Sequence, residues 1–176
     1  NIFGMYNPPT TGSKLMLDYT STLNYSLTIK PGASVVNMPE TTEINNMGKL
    51  ILETQTYDYS MPKLWLFSGI LENQDALTIT NQLTWSGGGF AGSGTTTIGS
   101  SVMPSIYGSS HTIDGQTLVN TGTVNWNGGN ITLSNGANFQ NDGIFNANAT
   151  TTLAGGDMDR FTNNGSFFKK TAATTT

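Results

Sequence analysis

Asp157 and Asp159 stand two residues apart beside the chain's one arginine, Arg160. Paired carboxylates next to a cation are what general acid/base or calcium-assisted cleavage of a polysaccharide requires. A charge group with no second carboxylate pair near it reads instead as a solvated, salt-bridged corner. His111, the single histidine, could be drawn into a triad with Asp114 and a serine, but no serine sits in a nucleophile elbow. In "YGSSHTI" (107 to 113) it reads as a solvent-exposed loop residue. "SGGGFAGSG" (86 to 94) lacks the Gly-Lys-Ser/Thr of a phosphate loop and reads as a corner. No catalytic residue, cofactor or metal ligand is therefore expected.

Two further sets of residues bear on recognition. Asn24, Asn130, Asn148 and Asn164 open Asn-x-Ser/Thr sequons, candidate glycan sites that an Asn- and Thr-rich chain also produces by chance. Tyr57, Tyr59, Trp65 and Tyr107 lie in or beside two proline-bearing segments, "YDYSMP" (57 to 62) and "SVMPSIYGSSH" (101 to 111). Read as surface loops, these segments would present rings for stacking on pyranoses. Trp85 and Trp126, at matching positions of a repeated frame, read as stacked core residues rather than platforms.

What positions these side chains is that repeat. The frame apolar-x-Asn-x-Gly-x-apolar occurs as "LVNTGTV" (118 to 124), "FQNDGIF" (139 to 145) and "FTNNGSF" (161 to 167), with upstream copies "INNMGKL" (44 to 50) and "LENQDAL" (71 to 77). A weaker copy, "FAGSGTT", starts at 90. The starts at 44, 71, 90, 118, 139 and 161 are separated by steps of 27, 19, 28, 21 and 22, the long ones containing the two proline-bearing segments. Between corners the apolar residues alternate, as in Leu77 and Ile79, Val124 and Trp126, or Ile131 and Leu133, the period of half-buried strands. No stretch offers helical spacing over three turns, so little or no helix is expected.

The repeat predicts an all-β fold, a right-handed parallel β-helix (β-solenoid) of about six or seven coils of roughly 22 residues. Residues 26-170 form the β-helix, residues 1-25 an N-terminal capping or assembly segment, and residues 171-176 a Thr-rich tail or linker. Asn46, Gly48, Asn73, Asn120, Gly122, Asn141, Gly143, Asn163 and Gly165 are the expected structural corners. The glycines are expected at positive φ, and the amides to cap the bend and bond the same residue in the next coil.

Composition narrows the function. With 7 basic against 11 acidic residues and a net charge of −4, no basic face exists to neutralise a row of phosphates, so nucleic acid is not an expected partner. There is no cysteine, which rules out a disulfide scaffold. The longest apolar cluster, "KLWLF" at 63 to 67, falls far short of the ~20 residues that span a bilayer, so no membrane insertion is expected.

The segments "LTWSGGGFAGSGTTTI" (83 to 98) and "IDGQTLVNTGTVNWNGGNITLSNGANFQNDGIF" (113 to 145) resemble the W-[ST]-G-G … D-G-x-T-L-x-N-x-G-T repeats of large bacterial surface and secreted adhesin-like proteins. The resemblance covers about residues 77 to 170. It implies a secreted or cell-surface location and a structural or adhesive module; with no catalytic residue expected and with the open coil edges of a solenoid, the chain reads as a non-catalytic module such as a repeating subunit of a filament or surface array. Its expected partners are other copies of itself, neighbouring domains of a larger surface protein, or polysaccharide. The alternative is a carbohydrate-binding β-helix module that uses the loop aromatics.

Overall fold

The computed structural model describes residues 14–17, 26–30, 38, 40–53 and 58–170. Asn24, Tyr57, most of the 1–25 segment and the 171–176 tail lie outside the described residues. Every described element is a strand and every pairing is parallel, so the chain is a β-solenoid of about six turns with no helix among the described residues.

Each complete coil has three sides. The first side holds β9 (Thr95–Ile98), β12 (Thr117–Asn120), β15 (Asn138–Asn141) and β18 (Arg160–Asn163). The second holds β1 (Lys14–Leu17), β3 (Thr41–Ile44), β10 (Ser105–Ile106), β13 (Thr123–Trp126), β16 (Ile144–Ala147) and β19 (Ser166–Lys169). Two long strands, β5 (Tyr59–Leu66) and β7 (Ala76–Trp85), run through both sides and join them into a 12-stranded sheet. The third side is a 7-stranded sheet of β2 (Ser26–Ile29), β4 (Lys49–Leu52), β6 (Ile70–Asn73), β8 (Gly88–Ala91), β11 (His111–Asp114), β14 (Ile131–Ser134) and β17 (Leu153–Ala154). On this side Leu27 pairs with Leu50, Leu50 with Leu71, Leu71 with Phe90, Phe90 with Ile113 and Ile113 with Leu133, each pairing closing one coil.

Alternation within each strand sends every second side chain inward, and register stacks these side chains into columns. Leu50, Leu71, Phe90, Ile113 and Leu133 line the third side, while Leu66, Trp85, Ile106 and Trp126 line the second, all buried. Each of the two tryptophans turns its indole N–H onto the turn that follows it. Trp126 Nε1 donates to Gly129 O at 2.8 Å and Trp85 Nε1 to Gly88 O at 3.4 Å. Those turn glycines hold φ of +72° and +73°, which a side chain would strain. The Trp-x-Gly-Gly signature thus encodes an inward indole together with the backbone bend that satisfies its N–H.

Three sequence expectations change. The described parts of the proline-bearing segments supply wall residues as well as exposed ones: Tyr59 and Met61 are buried in β5, and Val102, Pro104, Ile106 and His111 are buried around β10 and β11, while Met103 and residues 107–110 are exposed. Pro62 sits at a register shift, where Met61 pairs with Ile79 but Lys63 pairs with Gln82, so the missing proline N–H falls at a bulge.

The Asn frame, second, marks three different corners. Residues 118–124, 139–145 and 161–167 turn from the first side to the second, 71–77 and 90–96 from the third to the first, and 44–50 from the second to the third. The two long steps of the repeat are therefore one coil plus one side.

Third, Gly48 does not take positive φ, which falls on Asn46 and Met47 of its turn, and neither do Gly122, Gly143 and Gly165. The last three are glycines because a Cβ would land on a carbonyl oxygen of the preceding coil, that of Val102, Gly122 and Gly143 respectively.

Candidate functional site

The corner between the first and second sides carries a polar column through the buried wall. Asn120 Oδ1 accepts from the Gly122 N–H at 3.0 Å, while its Nδ2 donates to Asn141 Oδ1 at 2.7 Å and to Ile144 O at 3.0 Å. Asn141 repeats this one coil on, donating to Asn163 Oδ1 at 2.7 Å and to Ser166 O at 3.1 Å. Both amides are fully buried, where an unpaired donor would cost about 1–3 kcal/mol. Asn73 caps the other corner in the same way, with Oδ1 accepting from the Asp75 N–H at 3.1 Å and Nδ2 reaching Thr95 O in the next coil at 3.2 Å. Asn46 holds a left-handed φ of +44° in an exposed turn, a conformation asparagine tolerates. At the end of that turn the Gly48 N–H donates to Asn45 O, and Gly48 O accepts from the Ile70 N–H of the next coil.

Outside the coil a second set of side chains climbs from step to step. Asn146 Nδ2 donates to Asn125 Oδ1, Asn148 Nδ2 to Asn127 Oδ1, and Asn164 Nδ2 to Asp142 Oδ1. The amides of Asn164 and Gln140 hold the exposed Asp142 carboxyl below its ordinary range. Two of the sequon asparagines, Asn148 and Asn164, thus use their side-chain nitrogens in the ladder. Asn130 is exposed, its Oδ1 accepting from the Thr152 N–H.

These columns converge on β17, β18 and β19, the last described strands of their sides, which have a strand partner on one edge only among the described residues. In a parallel ladder alternate main-chain groups of such strands face outward unpaired. The core column surfaces here at Phe167, 43% exposed, while Phe168, 51% exposed, stands over the outer-face Asn146. Phe167 stacks on Phe145 with centroids 5.4 Å apart and planes at 10°, and Phe161 meets Phe139, Phe145 and Phe167 edge-on. At the top of the asparagine column Asn163 Nδ2 donates only within its own turn, to Gly165 O. Arg160, Lys169 and Lys170 add three positive charges to this coil, whereas residues 76 to 159 contain no lysine or arginine.

The other predicted site residues do not gather. Tyr59 is a core residue, 3% exposed, with its hydroxyl donating to Glu53 O, so it offers no ring face to a sugar. Trp65 is half-buried on the outer second side with Phe67 6.4 Å away. Tyr107 is exposed two coils further along. Asp159, expected in a salt-bridged corner, has its carboxylate held by main-chain N–H groups of Gly136, Ala137 and Gly156. No group of three His, Asp or Glu able to hold a metal occurs among the described residues. His111, expected in an exposed loop, is fully buried. Nothing in its local sequence marks this except that it precedes the alternating "TID" by one residue, in phase with Ile113.

Comparison with protein-family models, with curated proteins and with solved structures found no match to this chain.

Proposed function

We propose that the chain is a non-catalytic structural module of a secreted or cell-surface protein, a segment of rod whose work is to stack. The observation that carries this reading is the last described coil: Phe161 and Phe167, the main-chain edge and the asparagine column continue the interior coils, with one described neighbour instead of two, although Lys169 sets a charge at the inward position above Ala147. Such a surface takes another β-coil, in register, from a further copy or an adjoining repeat domain. The low charge, the Thr- and Asn-rich outer walls and the resemblance to adhesin-like repeats support a location outside the cell. The scattered placement of Tyr59, Trp65 and Tyr107 gives no support to sugar binding through these rings.

Light scattering and electron microscopy over a concentration series test the stacking. Rods longer than one chain are expected. Phe167→Lys, which sets a charge where the next core layer would lie, should shorten them to single units while the circular dichroism stays β. Monomers at every concentration would remove self-stacking from the proposal.

A further inference from the structure

His111 occupies a core position at the start of β11, paired between Gly88 of β8 and Ile131 of β14. Its ring lies 4.7 Å from that of Trp85, tilted by 59°. A Cβ on Gly129 would come within 2.6 Å of its Nε2, so the ring lies directly under the 127–130 turn. Neither ring nitrogen has a well-formed hydrogen bond, which is a standing cost in a buried site.

We propose that His111 is an acid-sensitive latch of the solenoid's middle coils: neutral, it completes the core under the 127–130 turn, and protonated, it drives that turn and the start of β11 away from Trp85. No Asp, Glu, Lys or Arg lies on β7, β8, β10, β13, β14 or the 127–130 turn. Asp114, the one acidic residue of β11, lies on the outer face with its Oδ1 taken by Ser134 and Asn135. An imidazolium would therefore meet no counter-charge. Burial holds the imidazole down at about 4, opposed only by the Gly128 backbone. A buried charge without a partner is relieved by opening the structure to water. The turn over the ring is built on the glycine pair Gly128 and Gly129, of which Gly129 lies against the imidazole with no side chain of its own.

Because His111 is the only histidine, its imidazole signals in an NMR titration of the whole chain are unambiguous. The expected result is a midpoint near 4, accompanied over the same range by faster hydrogen exchange at Gly128, Gly129 and Thr112 and by a change in Trp85 fluorescence. A midpoint near the ordinary 6.5, or one near 4 with exchange in the turn unchanged, would overturn the latch. His111→Phe should keep the turn protected at pH 4. If that variant fails to fold, the titration of the unmodified chain decides alone.

Discussion

At the scale of single residues, the fold rests on buried asparagines paired from coil to coil, and it also buries His111, whose ring nitrogens have no well-formed partner. Asn141 is the middle rung of its column, with an amide that links three coils. Asn141→Ala removes one of the Asn120 amide's partners, leaving it Ile144 O, and takes the donor from Asn163 Oδ1, and should lower stability by about 1–3 kcal/mol, read as a drop in the urea midpoint at unchanged slope. Asn141→Asp should cost more, because it turns a carboxylate towards two oxygens, and a milder effect than that of alanine would contradict the ladder. His111 sets a pH dependence whose sign follows from its lowered value. The unfolded chain binds the proton more readily than the folded one, so stability is lost as pH falls from about 6.5 to about 4 and is flat below, a total of roughly 3 kcal/mol. His111→Phe should flatten the curve over that window.

For whole elements, register is what the sequence must protect, since a slip of one residue exchanges the inner and outer faces of a strand. β7 spans two sides of a coil, and Thr80 and Asn81 oppose Pro62 at its bend. Deleting Thr84, which separates the inward Leu83 and Trp85 within the regular part of β7, forces one of the two outward. The near-ultraviolet contribution of Trp85, one of the two buried indoles, should be lost and unfolding become less cooperative. A glycine inserted after Thr150, in an exposed turn, should by contrast change stability by less than about 0.5 kcal/mol. Equal damage from both changes would show that coil length is not read strand by strand.

The molecule as a whole behaves as a one-dimensional stack, in which each coil is stabilised by its neighbours. The aromatic group of Phe139, Phe145, Phe161 and Phe167 belongs to the final coils alone. Phe145→Ala should cost about 3–5 kcal/mol in local stability, and hydrogen exchange should show that loss in β16, β18 and β19 while β4, β6 and β8 stay protected. Uniform loss of protection along the chain would mean that the solenoid unfolds as one unit and that its coils are not separable.

The sequence by itself determined the class of fold and much of its wall. The period-2 alternation fixes which face of each strand goes inward, and an asparagine recurring as Asn120, Asn141 and Asn163 can only be stacked on itself if coils lie directly above one another. Local pattern could not say which corner a frame occupies, because all three bends use the same Asn and Gly chemistry and differ only in which strands flank them. It also could not separate a loop from a wall in "YDYSMP" and "SVMPSIYGSSH", where proline is tolerated at a bulge and inward residues are few. The exclusion of a Cβ at Gly122, Gly143 and Gly165 comes from the coil beneath, and the burial of His111 from Trp85 one coil away. Contacts between coils join residues a full turn of the solenoid apart along the chain, and only the tertiary structure brings those partners together.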